Sequence, residues 1–335
     1  MAGSTVRRYA VIGSNCFTGA HIVDALLEDP DVTVLGISRS PESHRIFLPY
    51  LRHGTSRFRF VQLDLVRDAV AIQQLLDAER PEVVINVAAL SEVGLSNERP
   101  VEYFEVNTTA VVRLCNHLRT QSYLRQYVHI SSAEVYGTCE GAVKEDAPFR
   151  PSTPYAVSKA AADMYLGSVL KNFGFPAVLI RSTNVYGRHQ QLFKIIPRTL
   201  IYLRQGKTIE LHGGGTSIKS FVHIRDVVRG LQLAVAANAR GTFNFSVESS
   251  RSVAEIVEAT CRRAGYDFAA HTRVVGERLG QDGRYWLDCT RAERELGWRP
   301  EISFDQGLDE TVQWINDEWD AVQTLPLDYQ HKVQA

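Results

Sequence analysis

Residues 128–159 constrain this chain more than any other stretch. An apolar run (Tyr127, Val128, Ile130) ends in Ser131, Ser132, Ala133 and Glu134. That pattern predicts a buried strand delivering hydroxyls and a carboxylate at its C-terminal end, where open α/β sheets hold their ligands. A loop rich in Pro, Ser and Thr follows, and then a helical pattern in which Tyr155 and Lys159 stand four apart and share a face. An ammonium near a phenol favours phenolate, so Lys159 is expected to lower the Tyr155 pKa, as a general base requires. A hydroxyl, a Tyr and a Lys together suit removal of a proton from an alcohol while hydride leaves its carbon.

The N-terminal part supplies a second signal. A short apolar strand at 9–13 turns through Gly13, Ser14, Asn15, Cys16, Phe17, Thr18 and Gly19 into an amphipathic helix. Strand, glycine turn and helix form the dinucleotide-binding arrangement, in which backbone amides and the helix N-terminus receive a pyrophosphate. Further apolar strands are expected at 32–38, 58–64, 81–90 and 177–180, alternating with helices. The two long helices predicted at about 100–120 and 154–172 each carry an apolar face. The expected fold is α/β, a Rossmann-type doubly wound parallel sheet with a smaller C-terminal substrate-binding α/β lobe.

Composition excludes several classes. The 335 residues are 44% apolar and 22% charged, enough for a large core or two lobes. A net charge of −1 lacks the basic excess of a nucleic-acid binder. Cys16, Cys115, Cys139, Cys261 and Cys289 are scattered, without a CxxC pair, so reduced thiols in a cytoplasmic protein are expected rather than a disulfide frame or a metal site. The opening residues lack a signal-peptide apolar region, and no run of about 18 apolar residues predicts a membrane span.

Four motifs, SSAEVYG (131–137), PYAVSK (154–159), NVYG (184–187) and ELGW (295–298), resemble the extended short-chain dehydrogenase/reductase family. Within it the chain is most similar to the nucleotide-sugar 4,6-dehydratases of the dTDP-glucose type, from about Tyr9 to about Trp314. The resemblance implies a cofactor lobe of residues 1–184 with about 217–248. A nucleotide-sugar lobe would comprise 185–216 with about 249–330. It implies catalytic roles for Ser132, Glu134, Tyr155 and Lys159. The cofactor would lie against Gly13, Asn15, Cys16, Phe17, Gly19, Ser38, Arg39, Asp64, Leu65 and Ala88, with Tyr155 and Lys159. A nucleotide-diphosphate hexose would meet Ser91, Ser132, Asn184, Lys194, Lys219, Arg278 and Asp282. Asn107, inside the first long helix, would support the geometry or satisfy backbone groups in a kink. The two long helices would form a four-helix bundle across a homodimer axis. His129 reads as a packed strand residue.

The chain also departs from the family pattern. In the TGxxGxxG turn, Ile12 replaces the Thr and Cys16 the middle Gly, so a shifted pyrophosphate or an averted Cys16 side chain is expected. Ser38 and Arg39 stand where NAD-preferring relatives carry an acidic residue. With no carboxylate to repel a 2′-phosphate and a guanidinium to pair with it, tightly bound NADP is favoured over NAD. Glu92 and Gly94 replace the usual His and Asp, and Lys219 an Arg. Ala133 stands where the dTDP-glucose enzymes carry a proton-donating Asp. A nucleotide-sugar decarboxylase or 4-epimerase therefore stays open beside the dehydratase, as does a non-catalytic NADP-binding scaffold.

Overall fold

Seven parallel strands form the centre of the computed structural model, which describes residues 6–54, 56–276, 283–329 and 331. In chain order the strands are β1 (Arg7–Ile12), β2 (Val32–Ser38), β3 (Phe58–Gln62), β4 (Val83–Asn86), β5 (Gln126–Ile130), β6 (Ala177–Ser182), β7 (Asn184–Tyr186), β8 (Ile209–His212), β9 (Ile218–His223), β10 (Gly241–Phe245), β11 (Ser250–Ser252) and β12 (Thr272–Val275). The large sheet has the order β10-β6-β5-β4-β1-β2-β3. Strand order reverses between β1 and β4, so the ligand crevice opens there, beyond the C-terminal ends.

The inner strands read as continuous apolar runs because helices cover both faces. One face packs against Phe17–Leu27 and Ile224–Ala236, the other against Ala69–Glu79, Ala110–Leu118 and Pro154–Phe173. The later strands make two small sheets, β11-β9-β7 and β12-β8. Beside them Ile195–Arg204, Val253–Ala264 and Phe304–Asp317 share a core around Ile201, Ile256, Leu308 and Trp314.

Two elements that position the site start from local chemistry. Thr153 Oγ1 accepts from Ala156 N at 3.2 Å, Pro154 stands in the first turn, and Gly174 ends the helix Pro154–Phe173 at φ +64°. The helix expected over about 100–120 is interrupted: Pro100–Phe104 and Ala110–Leu118 flank a π turn, Glu105–Thr109. The wider turn directs Asn107 inward, where it is fully buried. Its Oδ1 accepts from Leu90 N at 2.9 Å, and its Nδ2 donates to Leu90 O and Ser158 Oγ, each at 3.0 Å. Asn107 thus ties the chain after β4 to the helix bearing Tyr155, rather than satisfying its own kink. The third strand also ends earlier than expected. Asp64 Oδ1 turns the chain by accepting from Val66 N and Arg67 N, and Asp68 accepts from Asp64 N instead of capping the next helix.

Replacing Asn107 by Leu leaves the Leu90 N–H and carbonyl unpaired in a dry interior. Urea denaturation should show a loss on the order of 2–3 kcal/mol; a change under about 0.5 kcal/mol would mean that Leu90 has other partners.

Candidate active site

At the end of β5 the two serines part. Ser131 Oγ donates to Asp163 Oδ2 at 2.8 Å, and the same oxygen accepts from Arg181 Nε at 2.8 Å. This ion pair is almost completely buried, so the Ser131 hydroxyl is occupied in holding β5 to its neighbours. Ser132 Oγ accepts from Glu134 N at 3.2 Å, which starts the turn Ala133–Tyr136, and its side chain hydrogen-bonds Tyr155. Gly137 ends the turn at φ +66°, where a Cβ would lie 2.2 Å from the Arg150 carbonyl.

Two cavities meet at Ser132. In one, of about 210 Å³, Ser132, Ala133 and Glu134 face Asn184, Lys194 and Tyr285. In the other, of about 620 Å³, Ser132, Tyr155 and Lys159 close the far end of a cleft that begins at Asn15, Cys16 and Phe17. Glu134 carries its carboxylate close enough to raise the Tyr155 pKa by charge.

The expected lowering of the Tyr155 pKa is corrected here. Burial pushes the phenol up first, the Glu134 charge adds to it, and the Ser132 hydrogen bond only opposes them. Lys159 is hydrogen-bonded elsewhere: its Nζ donates to the Ile130 carbonyl at 2.7 Å and stands 3.3 Å from His129 Nε2. Burial lowers Lys159 to about 8, opposed by the Asp163 charge. Facing along one helix side determined proximity, and the depth of the ammonium determined the electrostatics.

The turn after β1 is built for close approach. Gly13 has φ +93°, and a Cβ on it would stand 2.6 Å from Ala88 N; one on Gly19 would stand 2.1 Å from the Gly13 carbonyl. Cys16 Sγ accepts from Gly19 N at 3.3 Å and caps the helix Phe17–Leu27, so its side chain folds back onto the helix. A recess of about 190 Å³ beside this turn is lined by Gly13, Ser38, Arg39, Asp64, Leu65 and Ala88, among others. Ser38 Oγ accepts from Asn15 N, while Asn15 Oδ1 is buried with no partner among the described residues. A tight glycine cradle, a recess at its side and an acceptor awaiting a donor fit a dinucleotide.

Of the residues expected at the sugar nucleotide, Ser132, Asn184 and Lys194 share the smaller cavity, and Ser91 lines the cleft. Lys194 Nζ pairs with Glu92 Oε1 at 2.6 Å, joining the loop after β4 to the start of the helix Ile195–Arg204. Lys219 does not line either cavity: its ammonium lies over the Tyr285 ring, 4.1 Å from the centroid. Arg278 and Asp282 lie outside the described residues. Tyr285, Gln190, Phe193 and Tyr329 also line the site, and no local pattern marked the last three. Tyr329 comes from the C-terminal tail, whose ring packs on Phe193 at 5.4 Å. No disulfide joins any of the five cysteines, and among the described residues no three His, Cys, Asp or Glu side chains gather as a metal site. Among those residues no helix is long and apolar enough to cross a membrane.

A sheet of this order with a glycine cradle at its switch point and a Ser-Tyr-Lys group at the end of β5 defines the class. The chain belongs to the family described as GDP-mannose 4,6 dehydratase, whose model matches residues 11–311. It is 27% identical over 320 residues to the dTDP-D-glucose 4,6-dehydratase of Mus musculus, covering 93% of this chain and 89% of that one. Among solved structures it is similar to DesIV, a dTDP-glucose 4,6-dehydratase from Streptomyces venezuelae with NAD and TYD bound. The TM-score is 0.86 and the identity 30%, over 94% of this chain and 98% of that one. It is also similar to the UDP-glucuronic acid 4-epimerase from Bacillus cereus in complex with UDP-glucuronic acid and NAD. That match has TM-score 0.84 and 26% identity, covering 92% and 99%.

Proposed function

We propose that the chain is a nucleotide-sugar 4,6-dehydratase, which converts a nucleotide-diphosphate hexose to its 4-keto-6-deoxy product with a bound nicotinamide cofactor. The observation that carries this reading is Glu134, which lines one cavity with Ser132 and acts by charge on Tyr155. A 4-epimerase has no task for a carboxylate there, whereas elimination across C5–C6 needs a base. When bound, an oxidised nicotinamide supplies the hydride acceptor for C4, the later hydride donor to C6, and a positive charge that favours the Tyr155 phenolate.

In this reading Tyr155 accepts the O4 proton, Ser132 hydrogen-bonds O4, and Lys159 provides the nearby ammonium. The 4-ketone acidifies the C5 proton, which Glu134 removes. Ala133 cannot protonate the departing C6 hydroxyl, so Glu134 returns its own proton and water leaves. Gly13, Asn15, Cys16, Phe17, Ser38, Asp64, Leu65 and Ala88 hold the dinucleotide, and Gly19 keeps the turn tight. Asn184 and Lys194 meet the sugar-nucleotide side. The cleft separates a cofactor lobe from a substrate lobe built on the small sheets. Cysteines held as thiols suit a reducing, cytoplasmic compartment.

The reading extends to cofactor choice and assembly. Ser38 and Arg39 line the recess next to the glycine turn, where a hydroxyl and a guanidinium admit a 2′-phosphate that a carboxylate would repel. The similar solved structures hold NAD, so binding of both dinucleotides decides the matter. NADP⁺ should bind more tightly than NAD⁺ by calorimetry, and Arg39→Ala should erase the difference; equal binding by the unaltered protein would refute the preference. Val101 and Phe104 on one helix and Val157 and Met164 on the other expose apolar surface, as a homodimer through a four-helix bundle requires. Light scattering should give a dimer, and Met164→Glu should shift it to monomer; an unaltered protein that is already monomeric would end this part of the reading.

Mass spectrometry against a panel of nucleotide hexoses and UDP-glucuronate tests the reaction. One hexose should lose water with no net reduction of cofactor. Loss of CO₂, or an isomer of unchanged mass, would move the activity to decarboxylation or epimerisation. Tyr155→Phe should abolish turnover. Glu134→Gln should stop elimination yet permit slow reduction of bound cofactor, and full turnover by that variant would refute the mechanism.

A further inference from the structure

Lys159 is 2% exposed, so the groups that receive its three N–H bonds decide whether it can carry a charge. One bond goes to the Ile130 carbonyl at 2.7 Å. A second position is taken by His129 Nε2 at 3.3 Å. His129 is completely buried on β5, and its other ring nitrogen, Nδ1, stands 3.5 Å from the Tyr127 hydroxyl. We propose that His129 is a positioning residue for Lys159, a neutral imidazole whose Nε2 lone pair accepts from the ammonium and whose Nδ1–H faces Tyr127. This deepens the reading above, in which Lys159 acts as an ammonium beside Tyr155, and rests on it only for the kinetic test.

The surroundings determine the charge and tautomer. On β5 itself, Tyr127 faces one ring nitrogen, and Cys115 from the helix Ala110–Leu118 hydrogen-bonds that tyrosine. The helix Pro154–Phe173 brings Lys159 to the other nitrogen, with Tyr155 and Asp163 on the same helix. Arg181 from β6 is paired with Asp163, and Glu134 acts on Tyr155 from the turn after β5. Burial and the Lys159 charge hold the His129 pKa well below its ordinary value. His129 is therefore neither a proton carrier nor a pH switch but a fixed acceptor. It matters because burial already lowers Lys159 to about 8, where the loss of one acceptor tips it to the neutral amine. A hydrocarbon in place of the imidazole would lower that titration by about one to two pH units.

The variant-free test is nitrogen NMR of the holoenzyme labelled in its histidine rings. His129 should show an unprotonated Nε2 and a protonated Nδ1. A protonated Nε2 would overturn the proposal, because Lys159 could not then donate to it. The second test compares the pH profile of turnover for the unaltered enzyme, His129→Leu and His129→Gln, with melting temperature and cofactor content as controls. The unaltered enzyme should lose activity as pH rises through about 8, because the ammonium is lost. His129→Leu should move this limb down by about one to two pH units and reduce kcat about tenfold at pH near 8, with KM unchanged. His129→Gln, whose amide oxygen is an acceptor, should restore most of both. A His129→Leu profile superimposed on that of the unaltered enzyme would overturn the proposal. If the Leu variant does not fold, the tautomer and the Gln profile still decide. If the unaltered enzyme dehydrates no nucleotide hexose, the proposed function has failed, and the tautomer, with NMR titration of the Lys159 ammonium, still judges His129.

Discussion

The crevice depends on one close approach, that of Gly13 to the chain leaving β4. Gly13 turns at φ +93°, and any Cβ there would strike the Ala88 amide. With no side chain between them, the Val87 and Ala88 amides both reach the Ile12 carbonyl just beyond the last paired residues, Ile12 and Asn86. Sheet order then completes the arrangement. Because β4 neighbours β5, the end of β5 arrives beside the same opening with Ser132 and Glu134. Cys16 is tolerated in the turn because its thiol has a second task, capping the helix through Gly19 N.

Two buried polar networks hold the other wall. Asp163 ties the helix Pro154–Phe173 to Ser131 after β5 and to Arg181 on β6. Ser158, on the same helix, is tied through Asn107 to the Leu90 backbone beyond β4. Tyr155 therefore stands on an element clamped from both sides. Burial raises the phenol and lowers the ammonium.

Much of this was legible in the sequence, and the reasons differ by residue. Parallel strands buried on both faces read as apolar runs, so six of the seven central strands followed from the sequence pattern, while β10 did not. The shared face of Tyr155 and Lys159 followed from helical spacing. The π turn at Glu105–Thr109 was not legible, because its cause is Asn107 reaching Leu90, 17 residues away in the chain. Lys219 carried a charge of the right kind at a matching place, yet its ammonium lies over the Tyr285 ring and does not line the cavity. Tyr329 joins the site only because the tail returns across it to Phe193.

The sequence by itself determined the fold class, the dinucleotide turn and the candidate site side chains, since each rests on short-range pattern or on residue type at fixed spacing. Tertiary structure alone decided the charges those side chains carry and the partners they face. Burial depth, the carboxylate at Glu134, the carbonyl at Ile130 and the imidazole at His129 reach Tyr155 and Lys159 through space from other elements. A pKa sums such distant contributions, and no spacing within one helix contains them.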